Sequence, residues 1–98
     1  MPSGQALNTL FRMVRDFADQ AQPWQTAVRY QTLPDERYDI TKVSARVYGT
    51  RSNALVIQAA AGLDSPEQPL TERLLVLPTA AQLRAMKLKA GFDASEIL

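Results

Sequence analysis

The chain has 98 residues, 46% of them hydrophobic and 21% charged, which suits one small folded domain with extensions rather than a disordered chain. It lacks cysteine and histidine, which excludes disulfides, thiolate nucleophiles and the usual zinc ligands. The formal net charge is +1 and no segment has a large excess of basic over acidic residues, so nucleic acid is not an expected partner. No apolar run approaches the roughly 20 residues that cross a bilayer, so a membrane is not expected either.

The first segment, residues 1–23, is predicted to form an amphipathic helix. Ser3 is a suitable N-cap, apolar residues recur at three- and four-residue intervals as far as about Gln20, and Pro23 ends the segment. The apolar stripe has two interpretations: it covers this protein's own core, or it docks into a groove on another subunit. Under the second interpretation the partner-binding side chains are Leu7, Leu10, Phe11, Val14 and Phe17.

The middle segment, residues 24–78, begins and ends with a predicted strand. Residues 24–33 alternate loosely between two faces, and the first strand is expected over 27–33. Pro34 follows it and lacks the amide proton that a longer ladder would need. The apolar run 73–77 is short enough to be the second strand, which is expected over 74–77. Trp24 lies where the first helix meets the first strand. It either seals an edge of the core or stacks on a sugar or a protein partner.

Two short helices are predicted between these strands. The first has Asp39 as its N-cap and stops at Gly49, and the second runs from near Asn53 to a stop at Gly62. Glycine suits both stops because it adopts a positive φ at little cost. The side chains expected to fill the core of this segment are Val43, Val47, Leu55, Val56, Ala59, Leu75 and Leu77.

The last segment, residues 79–98, is predicted to be a helix over 80–90 followed by a short tail. Thr79 and Gln82 form a capping box at the start of this helix. Basic residues cluster toward its end, where they either complement the helix dipole or bind an acidic partner. The candidate partner-binding residues are Arg84 and Lys87 in the helix, and Phe92, Ile97 and Leu98 in the tail, which is too short to bury itself.

Nothing in the sequence has the spacing of a catalytic site. No pair of carboxylates implies a shared substrate, since Asp39 is explained as an N-cap and Asp64 as a turn residue. The four glycines are isolated, so the chain holds no glycine-rich phosphate loop. The sequence therefore predicts a protein that acts by binding, without enzymatic activity, cofactor or metal.

The middle segment carries three short motifs: Val47-Tyr48-Gly49 at the end of the first short helix, Ala61-Gly62-Leu63-Asp64 after the second, and Leu75-Val76-Leu77-Pro78 in the closing strand. In these motifs and in its strand, helix, helix, strand order, the segment resembles the LysM family, and especially the divergent LysM-like modules of contractile phage tails. The family's opening Gly-Asp-Thr-Leu turn falls on residues 37–40, where this chain departs from it. Arg73 replaces the glycine of the family's closing turn.

The resemblance implies an α+β fold with a small LysM-like βααβ core, in which the two strands pair antiparallel, and amphipathic helical extensions at both ends. It also implies a structural protein of a phage or phage-derived contractile tail, located in the baseplate of the virion and assembled in the host cytoplasm. Such a module connects hub or tube proteins to wedge or sheath-initiator proteins and is present in multiple copies in a symmetric assembly.

Two further expectations follow from this interpretation. A core this small is not expected to cover both extensions, so at least one of them should bury its apolar side chains against a different chain. The alternative function is that of a LysM module that binds peptidoglycan or another N-acetylglucosamine polymer. In that family the sugar groove lies between two loops that correspond here to residues 35–39 and 62–66.

Overall fold

The computed structural model of the chain describes residues 3–93 and 95. Within them the protein is a small α+β domain with four helices and one two-stranded antiparallel sheet, as the sequence predicts. Two turns of 3₁₀ helix, Pro34–Glu36 and Arg51–Asn53, precede the second and third helices. The elements in chain order are α1 (Gly4–Gln20), β1 (Val28–Gln31), α2 (Ile40–Tyr48), α3 (Ala54–Ala61), β2 (Leu74–Leu77) and α4 (Ala80–Ala90).

The sheet pairs β1 with β2 in antiparallel register, with Val28 opposite Leu77. The antiparallel pairing is confirmed, β2 spans the predicted residues 74–77, and β1 lies within the predicted range 27–33. The residues before β1 form a turn, in which the amide of Gln25 donates to the carbonyl oxygen of Gln22 at 3.0 Å. The predicted first strand differs from β1 mainly at its end, because β1 stops at Gln31.

The ends of the helices follow local sequence signals. The hydroxyl of Ser3 accepts a hydrogen bond from an amide of the first turn of α1, and Thr79 and Gln82 form the reciprocal capping box of α4. Gly49 and Gly62 end α2 and α3 with φ of 76° and 72°, in the left-handed region that favours glycine. All four helices consequently begin and end close to the predicted residues.

α3 lies between the other helices and the sheet because it is apolar on all its sides. Val56 and Ala59 pack in one group of buried side chains, whereas Ile57 and Ala61 pack in a second group. We call the first group the helix cluster, and it consists of Ala6, Leu10, Val14, Val56, Ala59, Leu83 and Phe92. The second group is the sheet cluster, which consists of Ile40, Val43, Ile57, Ala61, Leu63, Leu70, Leu75 and Leu77.

The two-sided burial of α3 corrects the predicted core. Val47 and Leu55 are half-buried rather than buried, whereas Ile57 and Leu70 are fully buried and were not among the expected core residues. The prediction treated α3 as a helix with a single apolar face. That face includes Leu55, and the prediction therefore missed the opposite face, which carries Ile57.

The expectation that the small core leaves an extension uncovered is wrong for the described part of the chain. α1 packs on α3 of the βααβ unit, and α4 packs on α1. Their apolar side chains, together with Val56 and Ala59, form the helix cluster. The extensions thus enlarge the core of the domain instead of projecting from it.

Candidate partner-binding surfaces

Five of the predicted partner-binding residues lie within the protein's own core. Leu10 is 3% exposed and Val14 is fully buried, and both belong to the helix cluster. Leu7 and Phe11 are half-buried against that cluster, and Phe92 is buried in it. This placement is a correction to the docking interpretation, because α3 presents a second apolar face that would otherwise be in contact with water. These side chains have little surface left for another chain.

Phe17 and Trp24 lie instead at a groove where α1 ends. The groove has a volume of about 590 Å³ and is bordered by Met13 and Phe17 of α1, by Trp24, and by Gln82 of α4. We call it the Trp24 groove. Trp24 is 80% exposed, which makes it the most exposed large hydrophobic side chain of residues 3–93 and 95. An exposed tryptophan beside a groove is typical of a protein-binding surface, since tryptophan is enriched among residues that dominate binding energy.

The turn that carries Trp24 is held in place by hydrogen bonds. The amide of Gln22 donates to Oε1 of Gln25 at 2.7 Å. Arg29 of β1 donates from Nη2 to the carbonyl oxygen of Gln22 at 2.8 Å and from Nη1 to that of Gln25 at 3.2 Å. From α4, Gln82 donates to the carbonyl oxygen of Thr26 at 2.9 Å. The backbone on both sides of Trp24 is therefore fixed to neighbouring elements, which lowers the entropic cost of using it as an anchor.

Arg84 and Lys87, which were predicted to form one basic surface, differ in their surroundings. Arg84 is exposed, whereas Lys87 is 6% exposed and donates from Nζ to Oδ1 of Asn53 at 2.7 Å. Burial lowers the pKa of Lys87 from its ordinary value. The predicted exposed cluster is thus corrected, because the stem of Lys87 turns inward toward the 3₁₀ turn before α3.

A buried carboxylate that the sequence did not single out organises the loop after β1. Glu36 is fully buried and accepts at Oε1 from the amide of Leu33 (2.6 Å) and at Oε2 from the hydroxyl of Tyr30 (2.5 Å). Arg46 of α2 donates to the same Oε2 at 2.8 Å and forms two further bonds to the carboxylate of Asp35. The network joins β1, the first 3₁₀ turn and α2, and a buried charge with this many partners is most simply structural.

The pKa shifts in this network follow from its geometry. The hydrogen bonds from Arg46 lower the pKa of Asp35. The hydrogen bonds to the carboxylates of Asp35 and Glu36 in turn raise the pKa of Arg46. Burial raises the pKa of Tyr30, and the hydrogen bond to Glu36 raises it further. Asp35, Arg46 and Tyr30 therefore keep their ordinary protonation states at neutral pH, unlike the acid or base of a catalytic site, whose pKa lies near the working pH.

The two loops of the expected sugar groove use most of their backbone donors internally. In the first loop the amide of Glu36 donates to Leu33 and that of Asp39 donates to Glu36. In the second loop the amide of Leu63 closes the end of α3, and that of Asp64 donates to Gln68. A sugar bound there by backbone amides would have to displace these bonds. Tyr38, which is 72% exposed, is the aromatic side chain of these two loops and is open to a ligand.

The remaining site predictions concern the chain ends and bound metals. Ile97 and Leu98 lie outside the described residues. Among residues 3–93 and 95, no group of three or more acidic, histidine or cysteine side chains could hold a metal ion. None of the helices in the same part of the chain is long and apolar enough to cross a membrane.

Comparison with known proteins gives no relative. No family model matches the chain, and no curated protein or solved structure matches it. The resemblance to LysM-like modules therefore depends on the motifs and the element order alone.

Proposed function

We propose that this protein is a non-enzymatic structural component of a phage or phage-derived contractile tail, where it connects baseplate proteins to one another. The observation that carries this proposal is the Trp24 groove, in which an 80% exposed tryptophan stands on a turn fixed by hydrogen bonds. A groove of this kind binds a side chain or short segment of a neighbouring protein. Hub or tube proteins on one side and wedge or sheath-initiator proteins on the other are the proposed neighbours, in multiple copies within the virion.

The three family motifs have structural roles that support the assignment to a tail protein. Tyr48 of the Val-Tyr-Gly motif donates its hydroxyl to the carbonyl oxygen of Pro78, which closes the last motif, at 2.7 Å. The two residues are 30 positions apart in the chain. Gly62 of the middle motif ends α3 with a positive φ. The motifs thus hold the βααβ unit together rather than form a site, as expected if the module serves to position surfaces.

The test replaces Trp24 by alanine and uses Tyr38→Ala as a matched control. Both aromatic side chains are largely exposed, so both variants should keep the circular dichroism spectrum and melting temperature of the wild type. Purified particles from cells that make each variant are then examined by quantitative mass spectrometry and negative-stain microscopy. We expect Trp24→Ala to lower the amount of this protein in tails severalfold and Tyr38→Ala to leave it unchanged.

Point variants are used because deleting α1 would not be a clean test. Removing residues 1–20 would uncover Val56 and Ala59, so the remainder is expected to unfold rather than persist as a core. Failure to find the wild-type protein in any particle of its source would contradict the proposal. Equal incorporation of Trp24→Ala and wild type would contradict the role of the groove.

The second candidate function is binding of N-acetylglucosamine polymers, and the exposed ring of Tyr38 is the observation in its favour. The two loops argue against it, because most of their backbone amides already donate hydrogen bonds within the protein. Isothermal titration with chitin oligomers distinguishes the two functions. We expect no binding, and micromolar affinity that is lost in Tyr38→Ala would reverse the ranking.

A further inference from the structure

A second pocket lies on the side of α4 away from the Trp24 groove. It has a volume of about 310 Å³ and opens between the end of α2, the 3₁₀ turn before α3 and the side of α4 from Ala80 to Lys87. Its polar lining is formed by Asn53, Arg84 and Lys87, and its apolar walls include Tyr48, Ala80 and Leu83. We call it the Lys87 pocket.

The pocket contains a buried cation without a counter-charge in the described part of the chain. Lys87 is 6% exposed, and its ammonium group has three N–H donors. One donor bonds to the neutral side chain of Asn53, and the ring of Phe92 lies 6.0 Å from Nζ. Among the ion pairs of residues 3–93 and 95, none involves Lys87. Burying an ammonium in this way is costly, and the lowered pKa of Lys87 reflects that cost.

Two further features give the pocket a positive potential. Arg84 lies one turn before Lys87 on the same face of α4 and remains exposed at the pocket. Ala80 and Ala81, the first two residues of α4, also line it, so the pocket lies beside the positive end of the helix dipole. Three independent sources of positive charge therefore converge on one cavity, and no acidic residue lines it.

The remaining walls decide which kind of anion fits. A phosphate group would need several more hydrogen-bond donors than this pocket supplies, because much of its lining is aliphatic or aromatic. A carboxylate needs fewer donors and carries a substituent that can contact apolar walls. We propose that the Lys87 pocket binds a carboxylate group attached to a small apolar body, with the ammonium of Lys87 and the guanidinium of Arg84 as its cationic partners.

This assignment does not depend on the proposed tail function. The carboxylate has two possible sources with the same chemistry, a free organic acid or the acidic side chain of a protein. In either case the ligand supplies the counter-charge that the described residues do not give to Lys87. A lysine that is buried for structural reasons alone would bind neither.

The test is a titration of the full chain with benzoate, followed by NMR, beside a titration with benzamide, which has nearly the same shape but no charge. We expect benzoate to shift the side-chain amide signals of Asn53 in a saturable way and benzamide to leave them in place. Lys87→Met should weaken benzoate binding at least about tenfold, as expected for loss of a buried charged hydrogen bond. Lys89→Met, an exposed lysine on the same helix, is the matched control and should change nothing.

Arg84→Gln keeps the test decisive if Lys87→Met fails to fold. Arg84 is exposed, so this variant should fold normally and bind benzoate about two- to fivefold more weakly. Equal binding of benzoate and benzamide, no saturable shift with benzoate, or an equal effect of Lys89→Met would each overturn the proposal.

A second titration identifies the source of the carboxylate. It uses the blocked peptides acetyl-Ala-Glu-Ala-amide and acetyl-Ala-Gln-Ala-amide. Binding of the glutamate peptide alone assigns the pocket to an acidic side chain of a protein. Binding of benzoate with neither peptide bound assigns it to a free organic acid, and both results uphold the carboxylate assignment.

Discussion

Replacing Leu10 by alanine tests whether α1 is an integral part of the fold. Leu10 is 3% exposed and packs in the helix cluster with Val56 and Leu83. The substitution removes three buried carbon atoms, each worth about 0.8 kcal/mol of transfer free energy. The cavity that remains adds to this loss, so the free energy of unfolding should fall by about 2–5 kcal/mol. A domain of this size has about 5–15 kcal/mol in total, which makes the loss large.

Urea unfolding followed by circular dichroism at 222 nm measures this loss directly. The matched control is Leu88→Ala on α4, because Leu88 is 49% exposed and its truncation should cost less than about 0.5 kcal/mol. Thermal melts should show the same order, with Leu10→Ala lowering the melting temperature by more than about 10 °C. If the two variants were equally stable, α1 would not pack on α3 as described, and the docking interpretation of its apolar stripe would regain its basis.

Three further predictions concern single positions. Gly62→Ala should lower the free energy of unfolding, measured with urea, by about 1 kcal/mol, because φ is 72° at this position. Gly4→Ala, where φ is not positive, should be neutral or stabilising in the same assay. Glu36→Ala leaves three donors without their acceptor and should cost at least about 2 kcal/mol, whereas the exposed Glu67→Ala should leave stability unchanged in the same assay. The pKa of Asp35 is lowered in the folded state, so its ion pair with Arg46 stabilises the fold above the unfolded pKa of about 4, and this contribution is lost as the pH falls through the folded pKa. Asp35→Asn should therefore make the free energy of unfolding depend less on pH on the acid side. An unchanged pH dependence would contradict the ion pair.

Local signals predicted most of the fold. Ser3, the Thr79 and Gln82 pair, and the glycines at 49 and 62 each act within a few residues, so the helix boundaries could be predicted without knowledge of the tertiary structure. The antiparallel order of the strands followed from the family resemblance and is confirmed. β2 lies over the predicted residues 74–77, and β1 begins one residue after the predicted start at Ala27.

The candidate surfaces were harder to predict because they depend on contacts between distant residues. Lys87 belongs to a basic cluster by sequence, and its burial follows from Asn53, 34 positions away. Glu36 had no distinctive spacing, since its partners come from a strand and a helix on either side of it. The spacing of apolar residues identified the apolar stripe of α1 but not the chain that covers it. A helix that packs on its own core and a helix that binds a partner have the same spacing.

The Trp24 groove and the Lys87 pocket lie on opposite sides of α4, which bears on the proposed role as a connector. Gln82 borders the Trp24 groove, whereas Ala80, Arg84 and Lys87 border the Lys87 pocket. Residues two positions apart on a helix are about 160° apart around its axis, so both contacts can be made at once. α4 is fixed at its start by a capping box and at its middle by Leu83 in the helix cluster. A partner in the groove and a ligand in the pocket would therefore be held at a set distance and angle, which is the property that a connector between two layers of an assembly requires.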